Sequence, residues 1–66
     1  MSPRKLGMKV KRLREERGWT QQTLASRAKL HRVYVAQIEA QTKTPSIVTL
    51  ERLAKVFKVK LTELLE

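Results

Sequence analysis

Along nearly all of this 66-residue chain, apolar residues return every three or four positions, and alternation at period two is confined to short stretches such as that of Phe57, Val59 and Leu61. A half-buried strand needs that alternation sustained, and a sheet needs more than one such strand, so a sheet is disfavoured and amphipathic helices are expected. Length sets the second limit. A chain this short hides only about 60% of its unfolded surface, which leaves material for one core and one domain, residues 1–66. With no cysteine, neither a disulfide framework nor a thiolate zinc site reinforces that core, and helix packing alone must hold it.

Five helices are legible from their punctuation. Ser2 and Pro3 start the first, whose apolar Leu6, Val10 and Leu13 recur until Gly18 caps the end. Thr20 is an N-cap for the second, with Trp19 and Leu24 placed as a hydrophobic staple, and that helix runs to about Ala28 on an inner face of Leu24, Ala25 and Ala28. The apolar phase then breaks, as in a short turn, and a third helix covers roughly Arg32 to Ala40. Ser46 caps a fourth, with Ile47, Leu50, Leu53, Ala54 and Phe57 at helical spacing. Val59, Leu61, Leu64 and Leu65 close the chain with a short fifth helix. No linker, internal repeat or low-complexity stretch interrupts the series.

Charge points to the partner. Fifteen Lys and Arg against six acidic residues, all Glu, give a net charge of +9. Nucleic acid fits such a footprint, because each phosphate neutralised releases condensed counterions whatever the base sequence. An anionic membrane surface is the second candidate. The longest apolar run, Val33 to Ala36, is far below the roughly 20 residues of a membrane span, and the N-terminus lacks the apolar stretch of a signal peptide. The expectation is a soluble, cytoplasmic chain. Seven of the fifteen cations fall in the first helix, at Arg4, Lys5, Lys9, Lys11, Arg12, Arg14 and Arg17, and most are expected to be solvated.

The third helix carries the chemistry. At about 100° per residue, Val35 and Ile38 share one side, and Arg32, Val33, Ala36 and Gln37 occupy the other. In a major groove that outer stripe makes sense: Arg bonds both acceptors of guanine, Gln bonds the adenine edge, and Val touches a thymine methyl. Periodicity alone also allows an ordinary amphipathic helix with a variable polar face. A short helix, a tight turn and a second helix with an outward polar stripe, on so basic a chain, suit the arrangement in which one helix crosses the backbone and the next enters the groove.

From Val10 to Leu65 the chain resembles the helix-turn-helix domain of the Xre, Cro and lambda-type repressor family. The matching words are KRLREERGWTQQTLASRA, LHRVYVAQIEA and TPSIVTLERLAKVFKVKLTELL, and HRVYV further resembles restriction-modification controller proteins of the same family. The resemblance implies an all-α, compact five-helix bundle of the lambda repressor-like type. It implies base contacts from Arg32, Val33 and Gln37, and backbone contacts from Gln21, Gln22, His31, Tyr34, Thr42 and Lys43. For Gln22 plain helix-start polarity serves as well, and for Tyr34 half-buried packing. Arg14 and Glu39 match a partly buried ion pair between the first and third helices. The chain also departs from the family's pattern. Lys29, Gln41 and Lys58 stand where glycine is usual, so any left-handed backbone there is borne by a residue with a Cβ, at roughly 1–2 kcal/mol each. His31 and Lys60 replace Ser or Thr caps, and Thr23 replaces a capping-box Glu.

The expected function is sequence-specific binding of double-stranded DNA by a transcriptional regulator, as a homodimer on a palindromic operator, with no cofactor, metal or small-molecule effector. The dimer surface is expected around Leu61 to Leu65, where sealing of the monomer core is the competing role. An antitoxin-like or adaptor module that binds protein is the rival from another class, although it has no need of such charge. An enzyme is disfavoured by one His, one Tyr, no Cys, no Asp and two isolated glycines, Gly7 and Gly18.

Overall fold

The computed structural model describes residues 3–66, the side chains from Lys5 onward; Ser2, half of the expected helix start, and the Arg4 side chain lie outside the described residues. Five helices follow in order: α1 (Pro3–Glu16), α2 (Gln21–Ala28), α3 (Arg32–Glu39), α4 (Ile47–Phe57) and α5 (Leu61–Leu65). No strand occurs among the described residues, and none of the helices is long and apolar enough to cross a membrane. α1 packs on α3 and α5, α2 on α3 and α4, and α4 on α5. The resulting body measures 25 × 24 × 21 Å.

One device ends all of the first four helices. After each, a single residue takes positive φ: Gly18 (70°), Lys29 (57°), Gln41 (68°) and Lys58 (58°). Its N–H and the next one turn back to carbonyls of the last helical turn. Lys29 N–H reaches Ser26 O and Leu30 N–H reaches Ala25 O at 2.8 Å; Lys58 and Val59 repeat the pattern on Lys55 and Ala54. This left-handed closing turn satisfies carbonyls that otherwise lack partners. The apolar residue that follows, Trp19, Leu30 or Val59, packs against the core. Three of the four positions lack the glycine that suits them, and the family resemblance marks all three.

The starts of α2 and α4 also share a device. Thr20 Oγ1 accepts from the Thr23 N–H and pairs with the Thr23 hydroxyl, both at 3.0 Å, and Ser46 with Thr49 does the same at 3.2 and 3.1 Å. A hydroxyl pair thus takes the place of the capping-box carboxylate. At α5, Lys60 makes no side-chain cap bond.

The core joins Leu6, Val10 and Leu13 of α1 to Leu24, Ala25 and Ala28 of α2, Val35 and Ile38 of α3, Leu50, Leu53, Ala54 and Phe57 of α4, and Leu64 of α5. One apolar side chain departs from what the phase of its helix implies. Ile47 shares the phase of Leu50 and Phe57 but is 61% exposed, because in the first turn of α4 it lies beyond the neighbouring helices. Of the α5 leucines, Leu64 is buried and Leu61 and Leu65 are partly buried against the core, which supports the sealing role that the sequence left open beside a dimer surface. Among the described residues, the exposed large apolar side chains are Met8, Val33, Ile47 and Val48.

One cation just past the end of α1 turns inward, where most were expected to be solvated. Arg17 donates to Leu13 O and, at 2.6 Å, to Phe57 O, with its guanidinium 5.1 Å from the Phe57 ring centroid. Trp19 stacks on Phe57 at 5.9 Å. The ends of α1 and α4 are thereby tied through a cation on aromatic faces. Gly7 has a different role. A Cβ built there would lie 2.5 Å from Ile38 O and 3.0 Å from Glu39 O, so only glycine lets the backbone of α1 approach the end of α3 this closely.

Candidate nucleic-acid interface

α3 is set at its start by His31, whose extended backbone (φ −75°, ψ 140°) lets Nδ1 accept from the Val33 N–H at 3.2 Å. In this bond Nδ1 is the acceptor, and it caps the first turn of α3. Inward, Val35 and Ile38 are fully buried. Outward, Arg32 and Val33 are exposed, and Ala36 and Gln37 are partly so. The expected stripe therefore faces away from the core, with its C-terminal half more sheltered than its start. Tyr34 is half-buried and packed on the core, the alternative that the sequence left open beside a backbone contact.

Glu39 ends the inner face of α3 and fastens three helices. Arg14 of α1 donates from Nε to Oε2 at 2.7 Å and from a terminal nitrogen to Oε1 at 3.0 Å, a bidentate pair whose side chains are 11% and 4% exposed. Its remaining nitrogen donates to Trp19 O at 2.8 Å. The bond to Glu39 raises the Arg14 pKa above its ordinary value, against the opposing effect of burial. Gln21, at the start of α2, donates to the same Glu39 Oε1 at 3.1 Å. The ion pair is thus the one that the family resemblance implies. Its third member is not legible in sequence, because a glutamine on the first turn of a helix carries no mark of a partner eighteen residues away.

The remaining expected residues flank the stripe. Gln22 is exposed, its amide bonded to Ser26 Oγ at 3.1 Å. Thr42 donates its hydroxyl to Gln37 O at 3.2 Å, and Lys43 is exposed in the loop that follows. Between residues 17 and 50 the only carboxylate is Glu39, buried and paired; the exposed ones, Glu15, Glu16, Glu51, Glu63 and Glu66, all belong to other parts of the chain. The surface formed by α2, α3 and the loop after it therefore offers cations and neutral donors with no exposed negative charge, which suits a polyanion.

Residues 10–64 match the family model described as helix-turn-helix. The chain is similar to the restriction-modification controller protein C.AhdI from Aeromonas hydrophila, with a TM-score of 0.90 and 32% identity, covering 94% of each chain. It is similar also to SinR, the master regulator for biofilm formation, in its structure in complex with DNA: TM-score 0.88, 32% identity, 92% of this chain and 98% of that one. The immunity repressor protein of Bacillus phage phi105 is 45% identical over 49 residues, 74% of this chain and 34% of the repressor. The chain thus spans about a third of that relative's length. On the match over most of its length, the chain belongs to the helix-turn-helix family of Xre/Cro-type transcriptional regulators.

Proposed function

We propose that this chain binds double-stranded DNA in a sequence-specific manner and regulates transcription, with α3 in the major groove. The observation that carries this reading is the outer edge of α3. Arg32 and Val33 stand exposed and Gln37 partly so, on a helix whose opposite side is locked by Val35, Ile38 and Glu39. Arg, Gln and a β-branched methyl are side chains that distinguish base pairs in that groove. Gln21, Gln22, His31, Thr42 and Lys43 flank this edge and act on phosphates, fixing the register; Tyr34 joins them only through its hydroxyl, its ring being packed. Two relatives support the reading: SinR forms a complex with DNA, and the phage phi105 protein is a repressor.

One such domain reads only a few base pairs, so the reading includes a homodimer whose two recognition helices lie about 34 Å apart on a palindromic site. With Leu64 in the core and Leu61 and Leu65 only partly exposed, the dimer surface we favour is the exposed pair Ile47 and Val48 at the start of α4. Selection of duplexes from a random pool, at stated salt, tests both parts. A palindromic consensus is expected. Enrichment of a consensus without two-fold symmetry removes the dimer, and absence of any enrichment removes the function in favour of a protein-binding module.

A further inference from the structure

We infer that the cleft between α2 and α4 is a second phosphate site, one that takes the backbone of DNA lying outside the base pairs read by α3. Two walls make the cleft, of about 300 Å³: Arg27 and Lys29 on one side, Arg52 and Lys55 on the other, with Ala28 and Val56 at its floor. All four cations are exposed. None forms an ion pair among the described residues, and no carboxylate lines the cleft. Such a concentration of one sign, held without a counter-charge, raises the local potential and draws anions.

Two of the four are already held in place. The Arg27 guanidinium lies 4.6 Å from the Trp19 ring centroid, and Arg52 reaches across the cleft to Lys29 O at 3.5 Å. A guanidinium already held by a neighbour keeps further donors in its planar fork for the oxygens of a phosphate and loses less freedom on binding. The cleft is distinct from the surface already described. At about 100° per residue, Arg27 is turned roughly 140° around α2 from Gln22, and no residue of α3 lines it. An acidic protein segment also carries the complementary charge. The phosphodiester backbone is favoured because this inference rests on the DNA-binding reading above, in which a continuous polyanion already runs alongside the domain.

The test compares salt dependence of binding. Arg52→Gln with Lys55→Gln removes two cleft cations, and Lys9→Gln with Lys60→Gln removes the same charge elsewhere. Each is measured with the wild-type chain on a duplex that just covers the selected site and on one extended at both ends, after thermal melting has shown the variants folded. The slope of log K against log salt is expected to be shallower for the cleft variant by up to about 1.8, roughly 0.9 for each phosphate lost, with base preference unchanged and the control variant parallel to wild type. A difference confined to the extended duplex assigns the phosphates to flanking DNA of the same molecule. A difference on both, together with capture of a second labelled duplex, assigns them to another molecule. Equal slopes for cleft variant and wild type overturn the inference, as does an equal loss in the control. So does retention of the wild-type slope with loss of binding to poly-L-glutamate, which makes the cleft a site for acidic protein. Arg32→Ala, run alongside, reports on the DNA reading by itself: its discrimination falls whether or not the cleft binds phosphate.

Discussion

At the scale of single residues, α3 divides into side chains that hold the protein and side chains that face outward, and the two groups call for different experiments. Glu39 belongs to the first. Its carboxylate accepts from Arg14 twice and from Gln21 once, so Glu39→Ala leaves a guanidinium nearly without solvent and without its anion. The expected cost is about 3–5 kcal/mol, a large share of the stability of any small domain, and denaturant unfolding measures it. Arg32 and Gln37 belong to the second group. Replacing either by alanine is expected to leave unfolding nearly unchanged and to remove about 1–3 kcal/mol of discrimination between preferred and altered duplexes. Lys43→Ala, by contrast, is expected to weaken all duplexes alike and to lower the salt slope by about 1; competition binding separates the two outcomes. The outward residues were visible in sequence because a period of 3.6 puts Arg32 and Gln37 opposite Val35 and Ile38. The role of Arg17 was not. A basic residue at the end of a basic helix looks the same whether it meets water or the face of Phe57.

At the scale of elements, the helices announce themselves by their ends more than by their propensities. Thr20 and Ser46 mark two starts; the stops at Lys29, Gln41 and Lys58, which lack glycine, were marked only by the family resemblance, and their left-handed backbone follows from the hydrogen-bond geometry after a helix. Strain at these stops is accessible to measurement. Lys29→Gly relieves roughly 1–2 kcal/mol of left-handed backbone cost and forfeits about 0.5–1 kcal/mol through the greater freedom of the unfolded chain. A net gain of about 0.5–1 kcal/mol is expected, which for a domain of this size raises Tm by roughly 2–8 °C. A fall in the calorimetric Tm would show that the lysine side chain contributes more than its backbone costs. Ile47 shows where periodicity stops being informative. Phase says which way a side chain points, whereas burial also needs a neighbouring helix at that height, and nothing in the sequence supplies the latter for the first turn of α4.

At the scale of the whole molecule, the sequence carried the class, the order of the elements and the sign of the partner's charge; what it did not carry are the distances between elements. Gly7 illustrates this. It falls three positions before Val10, on the inner side of α1, which is the signal that a backbone comes close, but only the assembled fold reveals that the backbone is the end of α3. Gly7→Ala is expected to destabilise the domain well beyond the 0.5–1 kcal/mol in the opposite direction that alanine's better helix propensity would supply, because carbonyls 2.5 and 3.0 Å away must retreat. Thermal melting gives the sign at once. That same close approach bears on what happens when a duplex arrives. With α1 pressed against its far end and Glu39 held by both Arg14 and Gln21, α3 is braced, and on the proposed reading it would meet the groove as a fixed ridge. Misfit then falls on the double helix, and sequences whose steps bend or unwind cheaply gain an advantage at positions no side chain reaches.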